Sequence, residues 1–155
     1  MSKIIKLVLA VLICQGAGVI GAVFTSSSVG GWYQTLTKPS FNPPAWLFGP
    51  VWISLYLLMG VSLYLVWIRW PEPGTFPALV FFGVQLLLNT LWSIVFFGIQ
   101  RPGLAFLEIL FLFAAISVTV FLFFKISRPA AFLMVPYLLW VAFASVLNGF
   151  IWRLN

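Results

Sequence analysis

The stretch WYQTLTKPSFNPPAWLFGPVW, from Trp32 to Trp52, is the one long connection in a chain otherwise made of apolar blocks. It contains four prolines and three tryptophans. Each proline fixes its own φ and restricts the residue before it, so Lys38-Pro39 and Asn42-Pro43-Pro44 cannot lie inside a helix. Loops longer than about 12–15 residues are usually functional or disordered, and this one is too aromatic for disorder. We therefore predict a structured lid that leads into a long helix.

The composition requires a membrane environment. Of the 155 residues, 63% are hydrophobic and only 6% are charged, and the mean hydropathy is +1.15. A soluble domain has about a quarter charged residues, so this chain cannot build a surface that suits water. The net charge of +6 comes from eight basic residues scattered at the ends of apolar segments. That distribution is typical of membrane-flanking anchors and excludes a nucleic-acid-binding patch.

Missing residue types exclude several kinds of site. The chain has no His, no Asp and one Cys, Cys14. These absences exclude an intrachain disulfide, a zinc site, a haem held by a proximal His and a Ser-His-Asp triad. We expect no metal and no cofactor, and any porphyrin would be a ligand held by packing and stacking without His ligation.

Five apolar segments are long enough to span the hydrocarbon core, which takes about 20 helical residues. The residues between the first two, Thr25–Ala45, form the long loop. The other connections are short turns, so helices two to five should pack as sequential antiparallel neighbours. We predict an all-α membrane protein: a five-transmembrane-helix bundle, one domain over residues 1–155, with a long structured loop between helices 1 and 2. The five segments are Ile4–Phe24, Trp46–Arg69, Phe76–Ile99, Leu104–Phe124 and Ala130–Trp152.

Local signals refine these segments. Ser26–Ser28 should open the loop flexibly, and Gly49-Pro50 indicates a distorted first turn or a helix that begins only there. Pro136 indicates a kink in the fifth helix. The small residues of Ala17–Ala22 should let another helix approach closely. Five Lys and Arg residues flank the N-terminal side against three on the other, which favours a cytoplasmic N-terminus.

Polar side chains inside the spanning segments mark where function is expected. Asn89 lies in the middle of the third segment, and Trp140 and Asn148 share a face of the fifth. Aromatic bodies with single polar tips suit an amphipathic ligand. Alternatively, the two asparagines only bridge helices by hydrogen bonds. Glu108 fits a position near an interface, or a protonated carboxyl bonded to a neighbour, better than a catalytic role.

Three groups of motifs cover nearly the whole chain, and their order and spacing are specific. Together they resemble the translocator protein family, also called tryptophan-rich sensory proteins or peripheral-type benzodiazepine receptors. We identify the chain as a bacterial member of that family. The motifs are Trp32-Tyr33…Lys38-Pro39…Pro43-Pro44…Gly49-Pro50-Val51-Trp52, then Leu88-Asn89…Trp92…Phe96-Phe97-Gly98, then Pro136-Tyr137-Leu138…Trp140…Leu147-Asn148…Trp152-Arg153.

The resemblance implies a five-helix bundle, often a homodimer, with a ligand cavity closed by the first loop. The ligands it implies are protoporphyrin IX or another tetrapyrrole, lipids and sterols, and synthetic isoquinoline carboxamides and benzodiazepines. The implied role is that of a tetrapyrrole transporter, sensor or regulator, in a bacterial cell membrane. By motif match, the ligand-binding residues would be Tyr33, Pro43, Phe48, Trp52, Asn89, Trp92, Trp140, Ala144 and Leu147.

Two other functions stay open. Some bacterial members are linked to light-dependent porphyrin breakdown, and the two loop-side tryptophans implicated there match Trp32 and Trp52, which are thus candidate catalytic residues. The other function is that of a membrane scaffold whose small-residue patches bind partners. One position departs from the family: the cholesterol-recognition pattern of animal members needs a Tyr where this chain has Gly149, so that motif is broken here.

Overall fold

The computed structural model describes the whole chain, Met1–Asn155, as a set of helices without strands. Five of these helices, all but α2, are long and apolar enough to cross a membrane, with the π-helical turn continuing α4. The predicted all-α, five-helix membrane bundle is confirmed. The elements are α1 (Lys3–Val29), α2 (Trp32–Thr35), α3 (Ala45–Trp67), α4 (Thr75–Ser93), the π-helical turn Ile94–Gly98, α5 (Pro102–Ile126) and α6 (Arg128–Leu154).

Three of the spanning helices begin after a serine that caps the first turn or after a glycine with a positive φ. The Ser2 hydroxyl accepts the N–H of Ile5 at 3.3 Å, and the Ser127 hydroxyl accepts the N–H of Ala130 at 3.5 Å. Both bonds satisfy N–H groups that a first helical turn leaves free. Gly74, directly before α4, has a φ of +84°, a backbone state that glycine adopts at little cost. These residues fix where three spanning helices begin.

The first helix is longer than the sequence predicts. It continues to Val29, so the prediction that Ser26–Ser28 open the loop flexibly is wrong. Ser26 and Ser27 donate to carbonyls three residues earlier, at 3.2 and 2.8 Å. Ser28 is buried and donates to the carbonyl of Phe97 at 2.7 Å. Since each hydroxyl bonds to a backbone carbonyl, the serines continue the helix and do not end it.

Two prolines lie inside spanning helices. The helix α3 begins at Ala45, so the alternative that it starts only at Gly49-Pro50 is wrong. Pro50 has no N–H to donate, and its own carbonyl accepts the hydroxyl of Ser54 at 2.8 Å. α6 is assigned as one helix through Pro136. Membrane helices accommodate such prolines because neighbouring side chains satisfy the freed backbone groups.

The helix α1 packs between α3 and α4, which make few contacts with each other. The prediction that helices two to five are sequential neighbours is therefore wrong for α3 and α4, although it holds for α4, α5 and α6. α6 closes the ring against α3. The absence of a side chain at Gly60 permits this packing, because a Cβ there would lie 2.7 Å from the Cα of Val11. That close approach brings α1 into the position that α4 was expected to occupy.

The buried residues form two clusters at different depths. The larger one joins all five spanning helices and includes Met59, Phe82 and Tyr137. The smaller one gathers Tyr33, Phe96 and their neighbours at the end of the bundle that carries the loop. Many large apolar side chains face outward, and that surface suits lipid. The chain is an integral, multi-pass membrane protein.

Adding a methyl group at Gly60 should loosen the bundle, because the backbone of Val11 cannot move aside as a side chain can. We expect Gly60→Ala to cost about 1–3 kcal/mol. Gly83 is the matched control, since nothing lies within 4 Å of a Cβ built there. Gly83→Ala should gain up to about 1 kcal/mol from helix propensity. Thermal unfolding in detergent should move in opposite directions for the two variants, and a Gly60→Ala protein as stable as Gly83→Ala would contradict the packing.

Candidate ligand-binding cavity

A cavity of about 450 Å³ lies at the loop end of the bundle. It is enclosed by the second half of α1, the first half of α3, the end of α4 with its π-helical turn, and the second half of α6. Sites for small molecules have volumes of about 300–1,000 Å³. Sixteen of the 24 lining residues are hydrophobic, so the cavity suits a largely apolar guest.

The structure brings together seven of the nine predicted ligand-binding residues. Asn89 and Pro43 do not line the cavity, and neither does the candidate catalytic residue Trp32, whose ring packs edge-on against Phe96 with centroids 5.8 Å apart. The second candidate catalytic residue, Trp52, does line it. A binding role for these residues stays a prediction. The seven lining residues are Tyr33, Phe48, Trp52, Trp92, Trp140, Ala144 and Leu147.

One wall of the cavity consists of aromatic rings that hold one another in place. The rings of Trp52 and Trp140 are perpendicular, with centroids 6.5 Å apart, and Phe48 meets Trp140 edge-on at 6.0 Å. Edge-to-face pairs of this kind favour fixed relative orientations. The buried indole N–H of Trp140 has no acceptor within the chain.

The opposite wall is fixed by a chain of hydrogen bonds. The ring of Trp92 stacks on Phe96 at 5.1 Å, and its indole N–H donates to the side-chain oxygen of Asn148 at 2.9 Å. The Asn148 amide in turn donates to the carbonyl of Pro102 at 2.8 Å. Asn148 thus bridges α4, α5 and α6, which agrees with the helix-bridging interpretation, and it also lines the cavity.

Asn89 lies one layer behind the cavity, where it connects three helices. Its side-chain oxygen accepts the hydroxyl of Tyr56 at 2.8 Å, and its amide donates to the hydroxyl of Tyr137 at 2.6 Å. The Tyr137 hydroxyl donates onward to Gln85 at 2.8 Å. Because Tyr56 lines the cavity and its ring lies 5.6 Å from that of Trp52, Asn89 acts on the site by orienting Tyr56.

The loop covers the cavity with Tyr33, which is 5% exposed. Its hydroxyl donates to the side-chain oxygen of Asn42 at 3.0 Å, and the ammonium group of Lys38 lies 4.7 Å from its ring centroid. Burial raises the pKa of the Tyr33 phenol, an effect that the hydrogen bond to Asn42 partly offsets. The phenol therefore stays protonated at neutral pH and keeps the two arms of the loop together.

Sequence reasoning missed the contribution of α1. Along its second half, this helix supplies residues from Gly18 to Val29 to the wall. The small residues of this stretch predicted close helix packing, and part of that prediction is met, because a Cβ at Gly18 would lie 2.6 Å from the ring of Tyr56. The same small side chains leave the space that becomes the cavity.

The π-helical turn was also missed. In it, the N–H of Ile99 reaches back five residues to the carbonyl of Ile94 at 2.8 Å. The wider turn places the adjacent residues Phe96 and Phe97 both inside the bundle, where both line the cavity. Turns of this type often occur at functional sites. The sequence carries no recognisable signal for it.

Glu108 does not line the cavity. Both oxygens of its carboxyl group are buried and have no hydrogen-bond partner in the chain. The interpretation that Glu108 is bonded to a neighbour is therefore wrong.

Replacing Asn89 with Leu should weaken the bundle and, through Tyr56, the site. The change keeps the branched shape of the side chain but leaves the Tyr56 hydroxyl without its acceptor, which should cost about 1–3 kcal/mol. Thr90→Ala is the control, because the Thr90 hydroxyl bonds only to the carbonyl of Leu86 in its own helix. Thermal unfolding of the two variants measures the difference. An Asn89→Leu protein that keeps its stability would show that the network does not hold the wall.

Comparisons with known proteins identify the family. A model of the TspO/MBR family matches residues 10–153. The chain is 42% identical to the tryptophan-rich protein TspO of Chlorobaculum tepidum over 99% of this chain and 98% of that protein. It is 43% identical to the protein of the same name from Archaeoglobus fulgidus, over 99% of both chains. It is 39% identical to the human translocator protein, over 88% of this chain and 82% of the human protein. The chain belongs to the TspO/MBR family of membrane proteins.

Proposed function

We propose that this protein binds protoporphyrin IX and related amphipathic molecules in the aromatic cavity, and that it acts as a tetrapyrrole transporter, sensor or regulator in a bacterial cell membrane. The observation that carries the proposal is the wall of Phe48, Trp52 and Trp140 at an apolar cavity beneath the loop. Indole and phenyl rings stack well on a flat conjugated macrocycle. Such a guest needs no His ligand.

The loop adds a charge that suits a porphyrin. Lys38 lies over the ring of Tyr33, which forms part of the lining, so a positive charge is close to the loop end of the cavity. Lys38 does not itself line the cavity, but a macrocycle that placed its propionate groups towards the loop would bring them nearer to this ammonium group, and its apolar part would remain among the aromatic rings. Charge-assisted contacts of this kind are stronger than neutral ones.

The names of relatives support a role in sensing or transport. A protein of Cereibacter sphaeroides named tryptophan-rich sensory protein is 41% identical over 80% of this chain, and the human relative is named translocator protein. The competing function, light-dependent breakdown of porphyrin, would use both Trp32 and Trp52. Trp32 does not line the cavity, which favours binding over breakdown. A scaffold role is less favoured, because Gly18 and Gly21 face side chains of this same chain.

Titration with protoporphyrin IX tests the proposal. We expect saturable quenching of tryptophan fluorescence, and Trp52→Ala should weaken the affinity about tenfold, or about 1.4 kcal/mol, through lost stacking. Trp46→Ala is the matched control, because Trp46 is 72% exposed and does not line the cavity. Quenching that does not saturate, or that the two variants weaken equally, would refute binding in this cavity.

A further inference from the structure

The cavity reaches the lipid-facing surface between α1 and α3. Six of its lining residues are exposed, and Val19 and Ile53 are 64% and 63% exposed. The exposed lining residues of each helix repeat at helical spacing, so each set forms one edge of a gap. Four of the six have small side chains, which leave the gap open. The six residues are Val19, Ala22 and Ser26 on α1, and Ala45, Gly49 and Ile53 on α3.

The gap arises because α1 changes its partner along its length. In its first half, α1 is tied to α3: the amide of Gln15 donates to the carbonyl of Ile53 at 3.1 Å. In its second half, α1 packs on α4 and its π-helical turn, since a Cβ at Gly98 would lie 2.9 Å from the ring of Phe24. No side-chain hydrogen bond joins α1 to α3 beyond Gln15. Tyr56 of α3 still meets α1 at Gly18, and beyond that contact the exposed lining residues of the two helices face each other across the opening of the cavity.

The loop, in contrast, is fastened on the opposite side, to α6. The side-chain oxygen of Asn155 accepts the N–H of Thr37 at 2.9 Å, and its amide donates back to the Thr37 carbonyl at 2.9 Å. The same amide donates to the carbonyl of Ile151 at 2.8 Å, so all the donors of Asn155 are used. The ring of Phe41 also packs edge-on against Phe150 at 5.3 Å. The cavity is thus held closed by the loop and left open between helices.

We propose that the gap between α1 and α3 is the entrance for ligand, and that amphipathic molecules dissolved in the bilayer enter the cavity sideways while the loop stays fastened. This inference rests on the proposed function. A flat, largely apolar ligand concentrates in the acyl-chain region, where the exposed edges formed by Val19 and Ile53 lie. Passage between small side chains such as Ala22 and Gly49 needs no break in the hydrogen bonds of the loop.

Obstruction of the gap tests the route. Gly49 and Gly16 are both exposed helical glycines with open space around a Cβ, but only Gly49 lines the cavity. In liposomes, Gly49→Leu should slow the association of protoporphyrin IX by about tenfold, and Gly16→Leu should leave the association rate unchanged. A loss of affinity in Gly49→Leu with an unchanged association rate would make Gly49 merely part of the wall, and would overturn the proposal.

Release of the loop tests the competing route. Asn155→Ala removes both hydrogen bonds between the Asn155 side chain and the backbone of Thr37, so hydrogen exchange at the Thr37 amide should accelerate. If ligand enters between the helices, the association rate should stay unchanged in this variant. An association rate that rises in Asn155→Ala, with Gly49→Leu at the parent rate, would show that the loop is the entrance.

A thiol-labelling experiment tests the entrance independently of porphyrin. Ala144 lines the cavity, so Ala144→Cys in a Cys14→Ser background places one thiol inside it. Bilayer-permeant N-ethylmaleimide should label this thiol, a charged methanethiosulfonate should not, and Gly49→Leu should slow the labelling. If parent protein fails to bind porphyrin but this pattern appears, the proposed ligand is wrong and the entrance stands. Equal labelling by both reagents would refute the lateral entrance.

Discussion

The structure depends on one close approach, the backbone of α1 against α3 at Gly60. No side chain separates the two helices there, and Val11 fills the space that a Cβ would need. The tight contact draws the first half of α1 towards α3. Its second half turns to α4, where Ser28 is anchored on Phe97 and Gly21 lies against Ser93. The cavity lies at the loop end of the bundle, where the second half of α1 packs on α4.

The buried polar side chains lie mainly beneath the cavity, and the aromatic side chains form its wall. At the base of the cavity, Tyr56, Asn89, Tyr137 and Gln85 form a buried chain of hydrogen bonds that joins α3, α4 and α6. In a low-dielectric interior such a satisfied network is rigid, and leaving a member unpaired is costly. Above it, the cavity presents the aromatic rings of Phe48, Trp52 and Trp140. The rigid base therefore supports a wall that can accept a guest.

Much of this architecture could be predicted from the sequence, because hydropathy and length alone define five spanning helices. The resemblance to the family supplied Trp52 and Trp140 as ligand-binding residues; both line one cavity, and their binding role stays a prediction. The rest depends on tertiary contacts that have no local signal. The packing of α1 between α3 and α4 follows from a contact between Gly60 and Val11, 49 positions apart in the chain. The inward position of both Phe96 and Phe97 follows from a π-helical turn that no residue pattern marks.

Asn89 lies behind the lining of the cavity, although the sequence marks it as a polar residue inside a membrane helix. A buried amide in the middle of a membrane helix does indicate a site nearby. The sequence cannot distinguish an amide that contacts a ligand from one that orients its neighbour, since both must be buried and bonded. Here the Asn89 side chain is hydrogen-bonded to the hydroxyls of Tyr56 and Tyr137, and of these residues only Tyr56 lines the cavity.

The most direct test of this account is an experimental structure of the protein in lipid with protoporphyrin IX bound. The account predicts the macrocycle inside the bundle, between the rings of Trp52 and Trp140 and beneath Tyr33, with Asn89 still bonded to Tyr56. A macrocycle found on the outer, lipid-facing surface, with the cavity between Trp52 and Trp140 empty, would contradict it.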